Sequence, residues 1–352
     1  MPAASRRQFL SLAALGVAAA ACGRADASGG GGNETKKIRY QGWAGQVTLP
    51  ELAEDLGYLG DVKLEWVGNT ISGPQDIQSA ATGQTDFGGA FNGAVVKLIG
   101  AGAPVKSVIS YYGVDQAAYS GYYVLEDSPI RGARDLLGKK VAMNTLGAHS
   151  EALLDIYLQR NGLSPADIAK VEPTVLPPVS TEQALRQKQV EVAVLGGVLR
   201  DKALAAGGVR PLFSDFDLLG AFSAGTFVMT NRFLKENPTT SRTFVTGVAK
   251  AIEWSRSTPR EQVIARSVEI VKRRGRNEDP AALQYWKSFG VAAAGGRISD
   301  QDFQLWIDWL VAHGDLKAGQ VKAGDLYSND FNGLAGQSAP ADAAASPSAS
   351  RS

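Results

Sequence analysis

Four short stretches gather amides, hydroxyls, an imidazole and glycines at points where an extended run gives way to a helical one. They are Gln41-Gly42-Trp43-Ala44-Gly45-Gln46, Phe91-Asn92-Gly93, Thr145-Leu146-Gly147-Ala148-His149-Ser150 and Pro178-Val179-Ser180-Thr181. Ligands of open α/β sheets settle beyond the carboxyl ends of strands, and free N–H groups at helix N-termini suit anions. These residue types offer recognition by hydrogen bonding and stacking rather than bond making. Trp43 sits between glycines that permit close backbone approach, so it can stack on a ligand or pack into a core, and Gln46 closes the same corner. Asn92 can donate an amide hydrogen bond or cap a helix. Thr145, Gly147, His149 and Ser150 form the richest corner. A charged imidazole at a helix N-terminus opposes the dipole, which favours a neutral role for His149 over a cationic clamp; the bland alternative is a solvent-facing first-turn residue. Ser180 stands in N-cap position with Gln183 at capping-box spacing, and Thr181 beside it is a further contact candidate. Gly196 follows a strand and can face the same cleft. Tyr111, Tyr112, Tyr119 and Tyr122 can line an organic ligand or pack a crossing.

The sets that would make an enzyme are missing from the sequence. There is no HExxH, no GxxxxGK[ST] and no Ser/His/Asp arrangement, so no catalytic residue, metal ligand set or cofactor is expected. Asp300 and Asp302 read as first-turn helix acids, favourable to the dipole. No arginine falls at any of the four corners, which disfavours a tightly clamped dianion.

The elements that must position these corners alternate. Lys37–Tyr40 reads as a strand and the run from Thr48 as a helix with Pro50 in its first turn, ended by Gly57. Strands follow at Asp61–Val67, Phe87–Ala90 and Val105–Tyr111, with helices at Gln75–Ala81 and Ala94–Ile99. A second unit begins near Gly121: strands Tyr122–Leu125, Lys139–Met143, Val171–Leu176 and Val190–Leu195 are interleaved with helices, the grammar of a parallel sheet. Beyond Thr226–Thr230 the chain reads as mainly helical from Thr240 to Gly314.

Both ends read differently. Ser5-Arg6-Arg7-Gln8-Phe9-Leu10 followed by an apolar run to Ala21 resembles a twin-arginine export signal, and Ala19-Ala20-Ala21-Cys22 resembles a lipobox; the alternative is an ordinary secretory signal, since Ala19-Ala20-Ala21 also fits an A-x-A cleavage site. The apolar run is about half the roughly 20 residues that span a bilayer, so it reads as a cleavable segment, residues 1–21. Cys22 is the only cysteine; it can form no internal disulfide and is the candidate lipidation site. Residues 22–35, with Gly29-Gly30-Gly31-Gly32, read as a flexible tether, and 332–352, rich in Ala, Ser and Pro, as a disordered tail.

The charge is balanced, 36 basic against 35 acidic residues for a net +1, with no basic stripe, so no nucleic-acid partner is expected. A body of this length exceeds what one core usually supports, and two lobes are the default.

Ala80-Ala81-Thr82-Gly83-Gln84-Thr85-Asp86-Phe87-Gly88, Gly100-Ala101-Gly102-Ala103-Pro104-Val105-Lys106 and Asp135-Leu136-Leu137-Gly138-Lys139-Lys140-Val141-Ala142 are similar to the solute-binding proteins of ABC importers. They resemble the branch that takes aliphatic sulfonates, nitrate, taurine and thiamine-pyrimidine precursors. Leu158-Gln159-Arg160-Asn161-Gly162-Leu163 and Gln187-Lys188-Gln189-Val190-Glu191-Val192-Ala193-Val194 continue the resemblance, which spans roughly Ile38 to His313. It implies an α/β, two-lobed type II periplasmic-binding fold with a hinge and an interlobe cleft: lobe 1 from 36–120 and 226–331, lobe 2 from 121–225. It further implies a monomeric binder, exported to the outer face of the cytoplasmic membrane or to the periplasm. That binder would be lipid-anchored and would hand a small solute to a permease with its ATPase. A receptor-docking sensor is the alternative. A thiamine-pyrimidine-type enzyme is a weaker one, since that activity implies a cysteine cluster the chain lacks.

Overall fold

The computed structural model describes residues 34–336. The stretch read as an export signal, Cys22, the glycine run and residues from 337 onward lie outside the described residues. The body reaches slightly beyond both of the limits read from composition. The Glu34 carboxylate accepts the amide N–H groups of Thr239 and Thr240, and Asn332, buried, donates from Nδ2 to Gly295 O at 2.8 Å.

The first half of the chain runs β1 (Lys37–Gly42), α1 (Leu49–Asp55), β2 (Lys63–Asn69), α2 (Gly73–Ala81), β3 (Gly88–Phe91), α3 (Asn92–Gly100) and β4 (Val105–Val114). After a five-residue crossing come β5 (Ser120–Leu125), β6 (Lys140–Met143), α4 (His149–Arg160), α5 (Pro165–Ile168), β7 (Glu172–Val175), α6 (Pro178–Arg186), β8 (Val192–Gly196), α7 (Gly197–Ala206), β9 (Val209–Ser214) and α8 (Asp215–Leu219). The chain then returns through β10 (Phe222–Thr230) to α9 (Asn231–Glu236), α10 (Pro238–Ser257), α11 (Arg260–Arg273) and α12 (Gln301–Ala312). Among the described residues no helix is long and apolar enough to cross a membrane.

β1 and β2 pair in parallel, and β10 lies antiparallel between β3 and β4. The other sheet has the order β7-β6-β8-β5-β9. Its β6, β7 and β8 run in parallel, as the strand–helix alternation predicts, and β5 is antiparallel to both neighbours. The reason is topological: β5 arrives by the short crossing from β4 rather than over a helix. β10 starts at Phe222, four residues before the extended run predicted at Thr226, because Phe222 and Ser223 pair with Val114 and Gly113.

The crossing between β4 and β5 is held from several sides. Asp115 Oδ1 accepts the N–H groups of Ala117 and Ala118, both at 2.7 Å. Arg200 on α7, 1% exposed, donates to Tyr119 O and Ala117 O and lies 3.7 Å over the Tyr119 ring. At Gly113 a Cβ would stand 2.2 Å from Gly290 O, so only glycine lets the two backbones meet.

Candidate ligand-binding site

A cavity of about 390 Å³ opens where the ends of β1, β3 and β8 and the corner after β6 meet the β4–β5 crossing. That volume lies in the range of small-molecule sites. Trp43, Phe91, Tyr111, Tyr112, Trp286 and Phe289 supply its aromatic walls. Tyr111 is held by stacking on Phe227, ring centroids 4.0 Å apart.

The polar groups come from both sheet systems, the part that carries β1–β4 with β10 and the five-stranded sheet with its helices. His149, the first residue of α4, stacks on Phe91 at 5.2 Å and brings Nε2 to 3.3 Å from Asp215 Oδ2. Burial lowers the imidazole to about 4, so it is neutral at physiological pH. Asp215 opens α8 and is 1% exposed; its Oδ1 accepts from Ser120 N at 3.0 Å and Phe216 N at 2.8 Å. Burial still raises it to about 7, against the pull of those amides. From α2, Asp76 is raised to about 7 by burial as well, although its Oδ2 accepts the Gly89 N–H at 2.7 Å. Asp201 is bound by Arg200 and by Lys287 Nζ at 3.0 Å. Among the described residues no group of three or more His, Cys, Asp or Glu could hold a metal ion. Nor does any hydroxyl hydrogen-bond to His149 among them.

Of the residues singled out from the sequence, Trp43, Gln46, Thr145, His149, Ser150 and Gly196 line this cavity. Three do not. Asn92 is fully buried, and its Nδ2 donates to Ser223 O and Asp302 O, tying β10 to α12; it neither faces the cavity nor caps, since it is already the first residue of α3. Gly147 is exposed with φ +67°, and its N–H donates to the Glu151 carboxylate, so it shapes the turn into α4. Thr181 is buried in α6 with Oγ1 donating to Pro177 O at 3.1 Å. Ser180 does not cap that helix, because α6 begins at Pro178 with Pro177 in the N-cap position. Tyr111, Tyr112 and Tyr119 line the cavity, whereas Tyr122 is buried beside it with its hydroxyl donating to Ser150 O.

Asp76, Asp215, Asp201, Trp286 and Lys287 were not anticipated. Asp215 lies at a β9–α8 junction that no periodicity announces, and Ser214-Asp215-Phe216-Asp217 reads as ordinary capping sequence. Asp76 carried one faint signal: it lies one turn before Ala80, on the buried face of α2.

A family model described as NMT1/THI5 like matches residues 52–262, more than half of the chain. Among curated proteins no sequence matches it. The fold is similar to that of the periplasmic aliphatic sulphonate-binding protein SsuA from Escherichia coli, at 21% identity and TM-score 0.63, covering 84% of this chain and 92% of that one. It is also similar to the periplasmic nitrate-binding protein NrtA from Synechocystis PCC 6803, at 13% identity and TM-score 0.66, covering 85% and 87%. The desulfurization enzyme DSZB shares it too, at 15% identity and TM-score 0.55, covering 84% and 97%. At these identities the likeness is one of fold, and this fold serves binders and an enzyme alike. The two-lobed α/β architecture expected from the motifs, and the family resemblance they carried, are both borne out. The chain belongs to the NMT1/THI5-like family.

Proposed function

We propose that this protein is the extracytoplasmic solute-binding component of an ABC importer, exported and lipid-anchored through Cys22. Its lobes, 36–120 with 226–331 and 121–225, would close on a small organic solute of the sulfonate, nitrate, taurine or pyrimidine type, and a permease with its ATPase would receive it from the closed form. The observation that carries this reading is the aromatic cavity lined from both sheet systems and flanked by the β4–β5 crossing. Contacts made only on closure supply the differential free energy; a swing from mostly open to mostly closed takes about 5 kcal/mol. DSZB shows that an enzyme can be built on this fold; in the cavity here the histidine is neutral and, among the described residues, no hydroxyl is hydrogen-bonded to it.

Thermal-shift screening against sulfonates, nitrate, taurine and pyrimidines tests the reading. At least one class is expected to raise the melting temperature, and Trp43→Ala and Thr145→Ala are each expected to weaken that ligand about tenfold without unfolding the protein. No stabilisation by any class, or full affinity in both variants, refutes it.

A further inference from the structure

The charges around the cavity do not balance, and the excess is acidic. Asp201 is answered by Arg200 and Lys287. Among the described residues, neither Asp76 nor Asp215 is ion-paired to a lysine or arginine; Arg200, engaged with Asp201, acts on Asp215 only at longer range. Asp76 is 4% exposed and its Oδ1 is buried without a hydrogen-bond partner. Asp215 Oδ2 faces His149 Nε2, which is likewise buried without one. Gln41 Oε1 adds another unpartnered acceptor on the same lining, and Trp286 Nε1 an unpartnered donor; His149 Nε2 can serve as either. No arginine lines the cavity, and its one lysine is already engaged.

Buried polar atoms normally have partners, so several orphans on residues that line one cavity bear on the chemistry of what it binds. A sulfonate or nitrate seated here would stand beside two carboxyls with no compensating charge, and would be tolerated only with both protonated. An ammonium or amidinium would hold both as carboxylates, and aromatic walls favour cations over anions. We infer that the solute carries a cationic or N–H-donating nitrogen group, an amine, amidine or amino-heterocycle. Asp76, and Asp215 with His149, are the lining groups that receive it. This rests on the solute-binding reading and narrows it: anions of the kind named for SsuA and NrtA are disfavoured wherever either carboxyl is ionised.

The test uses four compounds with one ring and different heads: benzamidine, benzylamine, benzyl alcohol and benzenesulfonate, titrated calorimetrically into the purified full-length protein. Benzamidine and benzylamine are expected to bind, and benzenesulfonate is not. Asp76→Asn and Asp215→Asn are each expected to weaken benzamidine by about tenfold or more. Either asparagine retains an acceptor for the backbone N–H now bound, and the melting temperature without ligand checks that the variants fold. Benzenesulfonate binding as tightly as benzamidine, or no binding by either nitrogen compound, overturns the inference. Trp43→Ala separates it from the reading beneath it. If benzamidine weakens in Trp43→Ala but in neither Asn variant, the cavity stands and the head-group assignment falls. If affinity is unchanged in all three, the cavity itself is misplaced.

Discussion

Burial acts on the ionisable side chains of the cavity in opposite directions according to the charge each would carry. It holds His149 neutral by lowering it to about 4, and holds a proton on Asp76 by raising it to about 7. The helix dipole pointed to the same state for His149, but desolvation is the cause, since the ring is stacked on Phe91 with little water access. For Asp76 the sign follows directly. Its pKa in the fold exceeds that of the unfolded chain, so between about pH 4 and pH 7 the folded state binds the extra proton and stability falls as pH rises. Asp76→Asn removes that proton uptake. The variant should therefore gain on the wild type from pH 4 to 7 and then level off, by an amount on the order of a few kcal/mol. Melting both proteins near pH 5 and near pH 8 checks this; an equal difference at the two pH values refutes it. Neither Asp76 nor Asp215 was legible as a site residue, because a lone aspartate in a helix's first turn has the same sequence signature whether it faces water or a cavity.

Elements were legible where their signals are local. Thr48 and Glu51 form the capping box that opens α1, with Thr48 N donating to Glu51 Oε2 at 2.9 Å. Glu51 then turns inward to Tyr40, Arg274 and Arg276, partners that come from more than 220 residues away in the case of the arginines. Ser180 has equally good spacing and caps nothing, because Pro178 starts α6 earlier. The direction of β5 was not legible either, since side-chain alternation is the same for parallel and antiparallel strands. The crossing that sets this direction depends on Arg200, a buried guanidinium shared between Asp201, two crossing carbonyls and the Tyr119 ring. Arg200→Met should cost about 3 kcal/mol, since it leaves buried acceptors behind. The midpoint of denaturant unfolding, at unchanged slope, measures it; a loss below about 1 kcal/mol contradicts this role.

At the scale of the whole molecule, a few polar contacts join the two sheet systems across the cavity. Lys287 Nζ meets Asp201 Oδ1 at 3.0 Å, and Asn144 Nδ2 donates to Ile71 O at 3.3 Å. Lys287 is half exposed, so its ion pair is worth about 1 kcal/mol or less. Under the proposed closure, Lys287→Ala should shift the unliganded protein toward the open form and raise the apparent Kd about twofold to fivefold. Small-angle scattering should show a larger radius of gyration without ligand and none of the difference with it. An unchanged radius and Kd would mean that this pair does not latch the halves.

The sequence by itself determined the alternation of strands and helices, the family, and nine of the residues that line the cavity, three of them tyrosines, because periodicity, glycine corners and capping patterns are properties of neighbouring positions. Only the tertiary structure decided which corners converge. Asn92 and Thr181 spend their hydrogen bonds on the fold, Gly147 turns outward, and Asp76 and Asp215 arrive from helices 139 positions apart. The character of the site, acidic and lined by aromatics, depends on which charges find partners. That is settled by distance in space and by exclusion of water, and no spacing along the chain records either.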